Sequence, residues 1–194
     1  MRLGEAIHNF DPTADVPDFV FALRTLSSIH LWCGRPAAAL DPIRRAVLLS
    51  ERLTAADPDR HLPALAALMH SQASIQLATG QLSAAIETCE HGNRLYEQLT
   101  RTNEGAYLGQ LAGSLAMLRA YLMRAGRPEE ALPVAQRHVD AARRLTAQEP
   151  GFRQLMIDSY LALATVLAIV GDALAARQAV ALAEMHQTIR DQEC

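Results

Sequence analysis

The side chains best suited to chemistry in this chain are seven histidines, three cysteines and a scatter of carboxylates. His30 and Cys33 have an i,i+3 spacing that puts both on one helix face. Two ligands do not make a metal site. Cys89 and His91, two apart, would diverge on a helix, which argues against zinc. Glu129 and Glu130 form a carboxylate pair of the kind used in acid–base catalysis. They stand where a helix should begin, however, and acidic residues there complement the helix dipole. There is no H-E-x-x-H, no Gly-rich phosphate loop and no G-x-S-x-G. The sequence therefore predicts no catalytic residues, no metal and no cofactor, and a protein that is not an enzyme.

Composition narrows the remaining classes. Half of the 194 residues are hydrophobic, yet there are only four Phe, four Tyr and one Trp. Ala and Leu dominate the rest, which suits closely packed helices and predicts an all-α fold. The 18 basic and 21 acidic residues are interspersed, with a net charge of -3. Neither a basic stripe nor aromatic stacking platforms are present, so no nucleic-acid partner is expected. Cys33, Cys89 and Cys194 are odd in number and widely spaced, which speaks against a disulfide framework and for a reducing, cytoplasmic setting. The segment MRLGEAIHNF lacks the apolar stretch of a signal peptide. Leu161–Val170 is the longest apolar run, well short of the roughly 20 residues that span a bilayer, so it is read as a buried helix and no membrane association is expected.

The elements that must carry these side chains are set by a repeat. RLTAADP at 52–58 returns as RLTAQEP at 144–150, and Gly34, Gly80, Gly126 and Gly171 are 46, 46 and 45 residues apart. Five residues after each glycine stands Ala39, Ala85, Ala131 or Ala176. Before each glycine, apolar residues recur at helical spacing: Leu23, Leu26 and Ile29; Met69 and Ile75; Leu115, Leu118 and Tyr121; Tyr160, Leu163 and Val166. A second amphipathic helix follows, marked by Ile43 and Val47, Ile86 and Leu99, Leu132 and Val139. The glycine should adopt the left-handed conformation that ends the first helix. In GRP at 34–36 and 126–128 the proline then opens the second.

This register predicts helices over 17–33, 36–55, 62–79, 82–101, 106–125, 128–147, 153–170 and 173–190. Asp57-Pro58 and Glu149-Pro150 should close second helices, and Pro42 and Pro133 should cause a kink or a delayed helix start. The expected organisation is a single repeat domain over 1–194, with repeats at 17–57, 62–103, 106–149 and 153–190. Leu3, Glu5 and Ile7 align with Leu49, Glu51 and Leu53, so residues 1–12 read as a partial repeat. That half helix is either an N-terminal cap or the remnant of a longer array.

The unit resembles the tetratricopeptide repeat (TPR), in the extended variety of kinesin light chains. The family has a large residue in the first helix, here Leu23, Met69, Leu115 and Tyr160, then the turn glycine and the alanine after it. A further small position is met by Ala46, Gly92 and Ala183, while His138 departs from it. The resemblance implies an α-solenoid of antiparallel hairpins, about eight helices plus the half helix, coiled as a right-handed superhelix. It also implies a non-catalytic interaction module that binds a peptide, helix or partner domain in its concave groove.

First helices line that groove in the family. The positions left free map onto Arg24, Ser28 and Trp32; His70, Ser74 and Leu77; Ala116, Met123 and Arg124; Asp158 and Leu161. Such a wall suits an amphipathic or apolar segment better than a charged tail. Trp32 is expected to pack against the N-terminal half helix, the alternative being an exposed binding anchor. Two other readings stay open: a small-ligand or enzymatic pocket built over His70 or Asp158, and self-association as part of a larger signalling protein.

Overall fold

In the computed structural model residues 16–193 are described, and among them the chain forms eight α-helices, one 3-10 turn and no strand. The helices are α1 (Val16–Trp32), α2 (Pro36–Ala56), α3 (Pro58–Ala78), α4 (Leu82–Thr102), α5 (Glu104–Arg124), α6 (Pro128–Gln148), α7 (Arg153–Val170) and α8 (Ala173–Glu193). They fall into two compact units that part between Gln81 and Leu82. The first holds α1, α2 and α3; the second holds α4 to α8, and within each unit every helix packs on the next. The half helix expected at 1–12 lies outside the described residues.

All four turn glycines are left-handed, with φ of 68° at Gly34, 79° at Gly80, 69° at Gly126 and 91° at Gly171, and no other described residue has positive φ. Two backbone bonds close each turn. At Gly126 its own N–H donates to Met123 at 3.1 Å, and the Arg127 N–H donates to Leu122 at 3.0 Å, which satisfies carbonyls that the helix end would leave bare. Nothing lies within 4 Å of a Cβ added to Gly126, so its substitution meets strain without a clash. Gly126→Ala is accordingly expected to destabilise the chain by about 1 kcal/mol, measured as a shift in urea midpoint.

The junctions between repeats are tighter than the sequence suggested. Asp57 alone separates α2 from α3: its N–H donates to Leu53 at 2.9 Å, while its carboxylate accepts from the Arg60 N–H at 3.2 Å. Asn103 does the same between α4 and α5, accepting from the Ala106 N–H at 3.1 Å. These helices therefore start at Pro58 and Glu104, four and two residues before the expected 62 and 106. Pro58 both stops one helix and opens the next, because its missing N–H is an orphan at the first helical position. At the last junction Pro150–Phe152 forms a 3-10 turn ahead of α7.

Of the two outcomes expected at Pro42 and Pro133, a kink or a delayed helix start, the delayed start does not occur. α2 begins at Pro36 and α6 at Pro128, and both run through the internal proline. Each proline lacks the backbone N–H that a helix interior would otherwise use.

The core repeats with the sequence. Ala39, Ala85 and Ala131 are fully buried and Ala176 nearly so, and Ala176 packs with Ala164 and Leu167 of α7, where a larger side chain would push the two helices apart. In the second unit Val139 and Ala142 of α6 meet Met156, Ile157 and Tyr160 of α7 and Ala183 of α8. Leu108 and Ala112 of α5 pack with Ala141 and Leu145 of α6. One register position departs from this pattern. Ile75, Tyr121 and Val166 are buried, whereas Ile29 on α1 is 51% exposed and Leu26 is also exposed.

Pro150–Val170 is, among the described residues, the one helical stretch apolar and long enough to cross a membrane by length and composition. Here it packs between α6 and α8 in the register of a first helix, burying Met156, Ile157, Tyr160, Val166 and Leu167.

Candidate interaction surface

First-helix side chains left free by packing form the surface to be tested, and none of the candidate residues is buried. In the first unit Arg24 and Ser28 stand exposed on α1, while His70, Ser74 and Leu77 are half-buried on α3. Burial without a compensating charge pulls the His70 pKa below its ordinary value. Trp32 corrects the sequence reading. Its ring is 91% exposed and does not pack as expected. The equivalent positions Ala78, Arg124 and Ile169 are exposed too. The place therefore faces solvent in every repeat, and its lack of consistent apolarity was the available signal.

Between α1 and α3 runs an open groove of about 310 Å³, lined by Pro17, Val20, Phe21, Arg24, Ala64, Ala67 and Leu68. Its wall is almost wholly apolar. The Arg24 guanidinium lies 5.4 Å from the centroid of the Phe21 ring, a cation–π contact that holds the one charge at the rim. A second apolar patch gathers Ile29, Trp32 and Cys33 with Thr25 and Ser28 on α1.

In the second unit Ala116 and Met123 are half-buried on α5, Arg124 is exposed, and Asp158 and Leu161 are exposed on α7. Asp158 accepts a hydrogen bond from the Gln154 side chain at 2.7 Å and lies on the surface, so it forms no floor of a closed pocket. Leu161 borders an apolar groove of about 360 Å³ with Ile157, Ala183 and Thr188.

Sequence reasoning missed a charged trough of about 420 Å³ on the second-helix side, flanked by Glu97 of α4 and Arg137, Asp140 and Arg144 of α6, over Leu111 and Leu115 of α5. Its charges are largely spent on one another. Arg144 grips Glu104 with contacts of 2.9 and 2.6 Å and holds that carboxyl below the usual range, and Arg137 pairs with Glu97. The signal was spread over three helices, invisible to spacing within any one.

The residues first considered for chemistry have structural surroundings. Glu130 accepts two bonds of 2.6 Å from Arg127 in the first turn of α6. Cys89 is buried, donates to the Ser114 carbonyl at 3.7 Å, and burial pushes its thiol pKa up to about 12, away from thiolate reactivity. Among the described residues no three His, Cys, Asp or Glu side chains are grouped as metal ligands.

Helical hairpins in a 45- to 46-residue register, with left-handed glycines and buried alanines at fixed places, define the tetratricopeptide-like repeat fold. Solved structures agree. The chain is similar to MamA at 18% identity over 93% of this chain and 84% of that one, with a TM-score of 0.60. It is likewise similar to the putative kinesin light chain TPR-like repeats of Podosopora anserina, at 18% identity, 96% and 93% coverage and a TM-score of 0.53. BtubC (BKLC) from P. vanneervenii matches at 14% identity, 96% and 86% coverage and a TM-score of 0.53. No family model and no curated protein matches the sequence.

Proposed function

We propose that the chain is a non-catalytic, cytoplasmic scaffold or sensor that takes an apolar or amphipathic segment of a protein partner on its first-helix wall. The observation that carries this reading is the groove between α1 and α3, where Phe21 is 60% exposed beside Ala64 and Ala67. A large exposed ring next to small side chains leaves room for a partner's apolar residues, and such anchors dominate binding energy. Arg24 at the rim would orient a segment carrying a carboxylate. Helical repeats present extended surfaces of this kind because each hairpin contacts only its neighbours and leaves one wall free.

The test uses a fluorescent amphipathic peptide selected against the whole chain from a displayed library. Phe21→Glu is expected to weaken its binding about tenfold or more in anisotropy titrations, with helical circular dichroism unchanged, since a single anchor is worth roughly 2 kcal/mol. A library that yields no binder, or a peptide indifferent to Phe21→Glu, defeats the reading.

A further inference from the structure

The last helix differs from the other second helices on its outward side. α8 packs inward through Ala176, Ala179 and Ala183, all buried. The opposite face presents Leu174, Gln178, Ala181, Met185 and Thr188, all exposed, with Leu174 at 70%. One repeat earlier the same positions are Glu129, Pro133, Gln136, Asp140 and Arg143 on α6, and before that Ser83, Glu87, Glu90, Arg94 and Glu97 on α4. Those faces carry charge and suit water. The face of α8 carries none, and Leu182 widens its apolar part.

Two charges border this seam on one edge: Arg177 and Glu184, seven residues apart, exposed and without an ion-pair partner among the described residues. We propose that α8 pairs antiparallel with α8 of a second copy of this chain, forming a two-fold homodimer. The positions 174, 178, 181, 185 and 188 alternate by four and three, as in a coiled-coil seam. With the axis between residues 179 and 180, Leu174 meets Met185 of the second copy and Ala181 meets Gln178, each contact made twice as a two-fold interface requires. The small Ala181 beside the axis lets the backbones approach.

The same register sets Arg177 against Glu184 of the second copy, again twice. Parallel pairing would instead place Arg177 beside Leu182 and Glu184 beside Ile189, leaving both charges unmet. Charge complementarity thus selects a second copy and its direction. The seam is short, so dissociation in the micromolar range is expected.

Sedimentation velocity over a concentration series of the 194-residue chain tests this. The wild type is expected to shift from monomer to dimer. Met185→Glu, Arg177→Glu and Glu184→Arg should each weaken association about tenfold or more, because each sets a charge against apolar surface or against its like. The Arg177→Glu and Glu184→Arg chains mixed together should recover a dimer, since their edges are opposite in sign. A chain that stays monomeric at high micromolar concentration overturns the proposal. So does a dimer untouched by these substitutions, or a mixture that fails to recover association.

Discussion

Leu115→Ala should lower the stability of the chain by about 3 kcal/mol, read from urea unfolding. Leu115 is 1% exposed at the centre of α5, which packs on both α4 and α6. Its truncation removes several buried methyl groups and leaves a cavity that two flanking helices cannot both close. In a repeat array no distant part of the fold compensates, since each hairpin relies on its neighbours. Leu161→Ala on α7 is the control. That side chain is 45% exposed, so the same substitution should cost well under about 1 kcal/mol. Equal losses at the two positions would contradict the assignment of Leu115 to the core face.

The second large effect is acid sensitivity from His138. The ring is 3% exposed, both of its nitrogens lack hydrogen-bond partners, and it replaces the small residue found as Ala46, Gly92 and Ala183. Burial lowers its pKa to about 4; the Arg119 guanidinium on α5 adds to the shift, and Asp158 on α7 opposes it. Because the folded pKa lies below the unfolded one, the unfolded chain takes up the proton first as pH falls. The stabilisation is whole above about pH 6.5 and drains away towards about pH 4. Between about pH 7.5 and about pH 5 the loss from this residue should be about 2 kcal/mol. His70 and His186, also lowered by burial, act in the same direction. The decisive measurement is therefore the difference between wild type and His138→Ala, whose slope over this window should be shallower by that amount. Parallel slopes would mean that the ring is solvated or already protonated in the folded chain.

The two effects meet at one lesson about repeats. Leu115 could be placed in the core from its spacing alone, because Leu23, Met69 and Tyr160 hold the same register and are likewise buried. His138 could be singled out as the odd member of a small-residue series. Whether it would swing into solvent or be trapped depended on α5 and α7 closing around α6. Asn93 repeats the point: it takes the place of Val47 and Val139, is 3% exposed, and neither atom of its amide head has a partner.

The open first-helix face was legible in part. Register put Arg24, Ser28, Leu161 and the rest on unburied faces, but the groove beside Phe21 exists only where α1 and α3 lie side by side. Ile29 shows the limit of periodicity. Its position is apolar in every repeat, yet Ile29 is exposed where Ile75, Tyr121 and Val166 are buried.

By itself the sequence determined the helical hairpins, their period and their punctuation, because a left-handed glycine, a first-turn proline and a helical stripe act over a few residues and need no distant partner. Only the tertiary structure decided which faces stay open, which polar groups are trapped and which charges are already paired. Those outcomes hang on neighbours one helix away in space and tens of residues away in the chain.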